Sequence, residues 1–156
     1  MMKNLNILIL LLVSTMANCQ VTAIMPLNTD DYPYGAYLKD LNNELPFLVG
    51  TWEGVSNNLK FTFQFTLFTQ QLKIYEDGIY NYEDEIKGKF KVMDLNTNQI
   101  IYDNLATTNY ENYNILCLTI RHSREFHFGF YDNENNCYNT AYFILIKDIN
   151  NPNQVI

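Results

Sequence analysis

The chain has 156 residues, of which 17 are acidic and 10 are lysine or arginine, so its formal net charge is −7 at pH 7. This sign argues against binding to nucleic acid or to anionic lipid, because both rely on clusters of Lys and Arg. Twelve tyrosines and ten phenylalanines, with only six glycines and four prolines, favour β-sheet, since aromatic residues are enriched in strands.

Residues 1–19 have the pattern of a secretory signal peptide. Lys3 supplies a positive start, an apolar run follows from Leu5 to Val13, and small and polar residues precede Cys19. The run is shorter than the roughly 20 apolar residues that a transmembrane helix needs. The sequence therefore predicts export, either to the cell envelope or to the medium.

Cys19 leaves two processing routes open. The segment Ala17–Cys19 is similar to a relaxed lipobox, in which Cys19 takes a lipid that holds the protein to a membrane surface. In the other route, an ordinary signal peptidase cleaves after Cys19 and leaves Gln20 as the first residue. We expect contact with a membrane only through the lipid anchor of the first route.

Residues 20–46 are predicted as a tether followed by a short helix. The first part is polar, contains Pro26 and Pro33, and has no hydrophobic period. A short helix is predicted over residues 36–44 because apolar residues recur at helical spacing. The leucines that would form its apolar face are Leu38, Leu41 and Leu45.

Residues 47–156 are predicted as one β domain. Apolar and polar residues alternate with the period of a strand in three segments, Lys60–Leu67, Ile86–Val92 and Glu125–Phe130. Weaker strand patterns cover Val49–Val55, Gln99–Leu105, Tyr113–Arg121 and Tyr138–Lys147. Turn residues separate these segments at hairpin spacing. The predicted fold class is all-β, a small antiparallel meander barrel or sandwich with one short N-terminal helix.

The C-terminal residues resemble the opening of a further strand, because Gln154–Ile156 follow a turn. A sheet usually covers or charges its edge strands. A β domain that is truncated at its C-terminus and a complete one are both compatible with this pattern.

Two short motifs resemble signatures of the lipocalins. Gly50–Trp52 is similar to their Gly-x-Trp motif at the start of the first strand, and Thr108–Tyr110 is similar to their Thr-Asp-Tyr loop. The resemblance implies an eight-stranded barrel in which Trp52 closes one end against a basic residue of a late strand, for which Lys147 is the candidate. More broadly, residues 1–105 look like small exported proteins of unknown function from Bacteroidota.

Seven phenylalanines are predicted to share one face of the sheet. They are Phe61, Phe63, Phe65, Phe90, Phe126, Phe128 and Phe130. They form either an ordinary packed core or the wall of a barrel lumen that binds a small apolar ligand. Tyrosines near predicted turns would surround the mouth of such a lumen, namely Tyr75, Tyr80, Tyr82, Tyr102 and Tyr110.

Motifs for nucleophilic, metal or phosphate chemistry are missing from the sequence. His122 and His127 are five residues apart, so on a regular strand they lie on opposite faces and do not converge on a metal. The acidic segments Glu76–Asp77 and Glu83–Glu85 are interpreted as solvated residues near a hairpin end. We therefore predict no catalytic residue, no metal and no cofactor. A weaker hypothesis is a hydrolase that uses His127 and a nearby carboxylate.

The remaining cysteines leave another alternative open. Once Cys19 is lipidated or removed, Cys117 and Cys137 remain, and an exported protein permits a disulfide between them. A simple meander would place them two strands apart, at about 10 Å, whereas a disulfide spans Cα atoms no more than about 7 Å apart. Both a disulfide and two free thiols remain compatible with the sequence.

These observations predict an exported, non-catalytic β-barrel that binds a small apolar ligand in its lumen. The alternative is an envelope lipoprotein with a fully packed core, which acts through protein–protein contacts of its tyrosine-rich loops.

Overall fold

The computed structural model describes residues 22–132, 139–151 and 153–155. Within these ranges the chain forms nine strands and two short 3₁₀-helices. The strands are β1 (Ile24–Pro26), β2 (Tyr37–Lys39), β3 (Gly50–Ser56), β4 (Leu59–Ile74), β5 (Tyr80–Asp94), β6 (Ile100–Asp103), β7 (Ile115–Arg121), β8 (Glu125–Asp132) and β9 (Asn139–Ile146). The 3₁₀-helices are Leu45–Leu48 and Tyr110–Asn112. None of the described helices has the length and apolar composition that crossing a membrane would require.

The strands form one mixed sheet that curls into a half-barrel. β3, β4, β5, β7, β8 and β9 follow one another in antiparallel pairs, whereas β1 and β2 add to β5 in parallel. β4 occupies one edge of β5 along its length, so β2, β7 and β6 share the other edge. The all-β class is confirmed, although the sheet is mixed.

The hairpin of β4 and β5 is the centre of this sheet. Its register places Phe63 opposite Phe90 and Phe65 opposite Gly88, so the alternation that predicted these strands carries the apolar side chains to one face. β3 enters this hairpin through Asn57, whose φ is +49°, and Asn58, whose φ is +62°. Asparagine tolerates this conformation, and a two-residue turn of this kind matches the twist of the strands it joins.

The predicted helix over residues 36–44 is wrong. Tyr37–Lys39 forms β2 instead, and helical structure begins only at Leu45. Leu41, which the helical spacing placed on the buried face, is 55% exposed. The reason is tertiary, because β2 exchanges backbone hydrogen bonds with β1 and β5, and a helix could not make them. The segment predicted as a tether accordingly contributes β1 to the sheet.

The hydrophobic core lies on the concave side of the half-barrel, which is called the inner face below. The 3₁₀-helix Leu45–Leu48 covers one end of it, and β4, β5, β7 and β8 supply the rest. Its buried members are Leu45, Leu48, Phe65, Ile86, Ile115, Ile120, Phe126 and Phe128. The opposite side of the sheet is called the outer face.

Candidate functional site

The seven predicted phenylalanines lie on the inner face and contact aromatic rings. Phe65 stacks on Phe128 with ring centroids 4.9 Å apart, and Phe63 lies 6.0 Å from Phe90. Phe90 in turn packs edge-on against Phe130 at 5.4 Å. Phe61 joins this stack through Phe63, whereas Phe126 stacks on Phe47 at 5.9 Å. Their common face is confirmed, and ligand binding by these rings stays a prediction.

Trp52 of the Gly50–Trp52 motif packs against the core of the inner face. The Trp52 indole N–H donates a 2.8 Å hydrogen bond to the Leu48 carbonyl, and the indole packs against Phe47 at 5.3 Å. The Lys147 ammonium lies 4.3 Å from the centroid of the Phe47 ring. Phe47 therefore lies between the tryptophan and the late basic residue that the resemblance paired directly. Gly50 has a φ of +125°, which disfavours any residue with a Cβ.

Cys19 and Cys137 lie outside the described residues, so lipidation at Cys19 stays a prediction. Cys117 lies on β7, packs against the core and is unpaired within the described residues. Because Cys137 lies outside them, both alternatives, a disulfide with Cys137 and two free thiols, stay predictions. Within the described ranges, no three His, Cys, Asp or Glu side chains come together as ligands for a metal ion. His127 Nε2 lies 3.9 Å from Glu125 Oε2, which is beyond hydrogen-bond distance.

Lys73, Lys87, Lys89 and Tyr110 form a cluster on the outer face, where the connection between β6 and β7 crosses the sheet. The Lys87 ammonium donates to the Tyr110 carbonyl at 3.1 Å and lies 3.6 Å from the centroid of the Tyr110 ring. Lys89, which is buried, donates to the Thr107 carbonyl at 2.6 Å. These two lysines fasten the connection to β5, since a buried ammonium requires hydrogen-bond acceptors.

Glu85 anchors the other side of the same cluster. Its carboxylate is 4% exposed, forms a 2.6 Å ion pair with Lys73 and accepts a hydrogen bond from the Tyr110 hydroxyl. Burial and the Glu85 carboxylate raise the pKa of Tyr110 to about 12. Burial lowers the pKa of Lys87, and no carboxylate of the described residues lies within 4 Å of its ammonium.

A polar groove of about 650 Å³ opens beside this cluster, where β6 and β7 diverge along the same edge of β5. We call it the tyrosine groove. It is defined by Tyr102, Tyr113, Tyr131, Lys87, Glu111 and Asn112. Its volume falls within the roughly 300–1,000 Å³ that is typical of small-molecule sites.

Two asparagines hold the back of the tyrosine groove in place. Asn104 accepts a 2.7 Å hydrogen bond from the Phe90 amide, which lies between the stretches of β5 that pair with β6 and with β7. Asn104 then donates to Asn114 at 2.9 Å, and Asn114 donates to the Tyr102 hydroxyl at 2.7 Å. The side chains thus complete the hydrogen bonding of β5 and fix the Tyr102 ring, which stacks on Phe90.

The sequence pointed to parts of this region only. The alternation predicted for Ile86–Val92 puts Lys87 and Lys89 on the polar face of that strand, and Tyr102 and Tyr110 were predicted near turns. The structure brings Tyr102 into the groove and puts Tyr110 on the lysine cluster, whereas Tyr75 and Tyr80 lie at the far end of the β4–β5 hairpin. Tyr113, Tyr131 and the asparagine pair were missed, because no local pattern marks them.

Partly buried acidic groups predict a loss of stability at alkaline pH. Burial raises the pKa of the Cys117 thiol from 9.0 to about 12, and burial with the Asp84 carboxylate raises that of Tyr37 from 10.0 to about 12. Tyr110 shifts in the same direction. When folding raises the pKa of such a group, the folded state holds the proton more tightly than the unfolded state does. The resulting stabilisation is complete at a pH below the unfolded-state pKa, and it is lost as the pH rises through the folded-state pKa.

We therefore expect the free energy of unfolding of the reduced protein to be constant near pH 8 and to fall progressively between about pH 9 and pH 12. Urea titrations at unit pH intervals measure this. The variant Cys117→Ala should lose the part of the decline that begins near pH 9 and keep the part that begins near pH 10. A flat profile up to pH 11 would show that these groups are solvated in the folded protein.

Comparison with known proteins identifies a family. The model described as "Family of unknown function (DUF6705)" matches residues 2–152. No curated protein and no solved structure matches the chain. The match spans all nine strands of the half-barrel and the tyrosine groove. The chain therefore belongs to the family of unknown function DUF6705.

Proposed function

We propose that this protein is an exported, non-catalytic binding protein that holds its target in the tyrosine groove, while the inner face serves as a packed core. The observation that carries the proposal is the contrast between the stacked rings of the inner face and the open groove between β6 and β7. On the inner face, phenylalanine rings contact one another at 4.9–6.3 Å. A groove of about 650 Å³ opens where the outer connection leaves the sheet.

The chemistry of the groove supports binding rather than turnover. Its charged side chains are Lys87, which is occupied by the Tyr110 carbonyl and ring, and Glu111, which is exposed. A general base must reach the proton it removes and a nucleophile needs an activating partner. The remaining groups are tyrosines, asparagines, a threonine and a leucine, which recognise a ligand by shape and by hydrogen bonds.

A small apolar ligand on the inner face is the competing hypothesis. To enter the curve of the sheet, such a ligand would have to separate rings such as Phe65 and Phe128, which are both buried and stacked. Close packing of this kind favours a filled interior. The half-exposed rings of Phe61 and Phe63 are the part of the inner face where this hypothesis is best tested.

Photo-crosslinking in the producing cells tests the proposal even though the target has not been identified. We expect p-benzoylphenylalanine at Glu111, on the rim of the groove, to give a covalent adduct on irradiation. The same residue at Phe61, on the inner face, or at Leu72, an exposed control position on β4, should give none. Mass spectrometry of the recovered protein measures the adduct and also shows whether residues 1–19 have been removed and whether Cys19 carries a lipid.

Two results of this experiment contradict the proposal. No adduct at position 111 would exclude the groove as the binding surface. A small apolar adduct at position 61 would instead support ligand binding on the inner face. Recovery of the full chain with residues 1–19 intact from the cytoplasm would overturn export.

A further inference from the structure

The side chains of the tyrosine groove indicate a class of ligand. Three aromatic rings, Tyr102, Tyr113 and Tyr131, line it together with planar amides such as Asn112. Lys87 and Glu111 are its two charged residues, and their charges cancel. A charged ligand would be attracted by one of them and repelled by the other. The lining therefore favours a neutral ligand that offers both polar groups and an apolar face.

Such a ligand must both donate and accept hydrogen bonds. The ammonium of Lys87 has three donors, one of which the Tyr110 carbonyl takes, the carboxylate of Glu111 is an acceptor only, and the amide of Asn112 is both. Hydroxyl groups match all three, because each hydroxyl can donate one hydrogen bond and accept two. The tyrosine rings require in addition a flat C–H surface against which they can pack. Sugar rings combine these two properties.

The groove is also held in shape before any ligand arrives. The hydrogen-bonded series of Asn104, Asn114 and the Tyr102 hydroxyl fixes one wall. Tyr113 is held edge-on by the Phe68 ring at 5.4 Å, and the Lys89 ammonium lies 5.3 Å from its centroid. Preorganised walls reduce the entropy that binding costs, which matters for a ligand whose hydroxyls must first leave water.

We propose that the tyrosine groove binds a neutral oligosaccharide. This inference rests on the proposed function, since it names the ligand class of the same groove. The formal charge of −7 is consistent with it, because a strongly acidic protein repels sulfated or uronic acid polymers at long range.

An array of oligosaccharides tests this inference with the full chain. The probes are neutral oligomers of glucose, xylose, mannose, galactose and N-acetylglucosamine, together with sulfated and uronic acid oligomers. We expect saturable binding to at least one neutral series and none to the acidic series. With a bound neutral oligomer, NMR shift changes should fall on the backbone amides of residues 104–114.

Variants assign the binding to the groove. Tyr113→Ala should weaken binding of the neutral oligomer by about tenfold, the loss expected when one ring contact disappears, whereas Tyr113→Phe should retain it. Asn112→Ala changes an exposed residue of the groove and should weaken binding severalfold. Tyr34→Ala, an exposed tyrosine distant from the groove, is the control and should bind like the unmodified chain.

Binding to acidic oligomers alone, or to no oligosaccharide at all, would overturn the inference. If no oligosaccharide binds but the crosslinker at position 111 captures a protein, the ligand class is wrong and the proposed function stands. If neither the oligosaccharide array nor the crosslinker gives a signal at the groove, the oligosaccharide inference and the proposed function are both wrong. Equal loss of binding in Tyr113→Ala and Tyr34→Ala would also overturn the assignment to the groove.

Discussion

Replacing Asp84 with alanine is expected to lower the free energy of unfolding by about 3–5 kcal/mol, because a buried carboxylate with several donors is removed. Asp84 is 5% exposed. It accepts hydrogen bonds from the Tyr37 hydroxyl and from the backbone amides of Asp40 and Gln70, both at 3.1 Å. The two amides, which are partly buried, would lose their acceptor in the variant, and leaving an N–H unpaired costs up to about 1–3 kcal/mol where water cannot replace the acceptor.

The position of Asp84 in the fold explains why its loss should destabilise several elements at once. Gln70 has a φ of +53° within the bulge of β4, and its amide is held by Asp84. Asp40 in turn accepts from the amides of Glu44 and Leu45 at 3.0 and 2.8 Å, at the start of the 3₁₀-helix. One carboxylate therefore connects β2, the bulge and the helix that covers the core.

Urea denaturation measures the loss, and hydrogen exchange locates it. We expect the amides of β1 and β2 to lose protection first, because β2 pairs with β5 at only two residues. Asp84→Asn keeps the shape of the side chain and one acceptor oxygen, so its loss of unfolding free energy should lie between zero and the loss in Asp84→Ala. Glu76→Ala removes the same charge from an exposed turn and should change stability by no more than about 0.5 kcal/mol. A loss at Asp84 as small as that of Glu76 would contradict the role proposed for this carboxylate.

The role of Asp84 also shows what the sequence could not predict. The segment Glu83–Glu85 was interpreted as solvated and close to a hairpin end. In the structure β5 begins already at Tyr80, so Asp84 and Glu85 lie inside the strand and are buried. Their partners, Tyr37 and Lys73, come from distant positions on β2 and β4. No local period reports such pairing, and acidic residues are usually exposed.

Local patterns sufficed for most of the sheet. The alternation around Phe63, Phe90 and Phe128 predicted strands that the structure confirms as β4, β5 and β8. The turn residues predicted between the segments Val49–Val55 and Lys60–Leu67 are those that form the turn at Asn57 and Asn58. β2 was taken for a helix because Leu38, Leu41 and Leu45 recur at helical spacing, whereas the parallel pairing of Tyr37–Lys39 with β1 and β5 makes this segment a strand. Parallel pairing depends on distant segments, so it is absent from any short window of sequence.

The tyrosine groove was beyond prediction for a related reason. It exists because β6 and β7 pair with different stretches of one edge of β5, around Lys91–Met93 and at Lys87–Gly88. A simple meander, as predicted, has no such gap. The tyrosines themselves were visible in the sequence, but the topology decided which of them would meet.

The second large effect is expected at Phe65, where alanine should lower the free energy of unfolding by about 3–5 kcal/mol. The ring is 2% exposed, stacks on Phe128 at 4.9 Å and lies over Gly88 of the neighbouring strand. A Cβ at Gly88 would come within 2.6 Å of the Phe65 ring and 3.2 Å of the Ile115 side chain. The glycine is therefore required by the ring that covers it, and Gly88→Ala should cost about 1–3 kcal/mol through overpacking.

The two substitutions together test this explanation more sharply than either alone. If Gly88 is required because of the Phe65 ring, Gly88→Ala should cost less in a chain that already carries Phe65→Ala, with a coupling of about 1 kcal/mol or more. Phe61→Ala, at the half-exposed end of the same row of rings, is the matched control and should couple with Gly88→Ala by less than about 0.5 kcal/mol. Urea titrations of the single and double variants measure this double-mutant cycle.

Additive losses at Phe65 and Gly88 would mean that the ring moves aside freely, as it would in a loosely filled inner face able to admit a ligand. Strong coupling would instead mean that the rings occupy the interior, which leaves the groove as the surface where a ligand can bind without displacing the core.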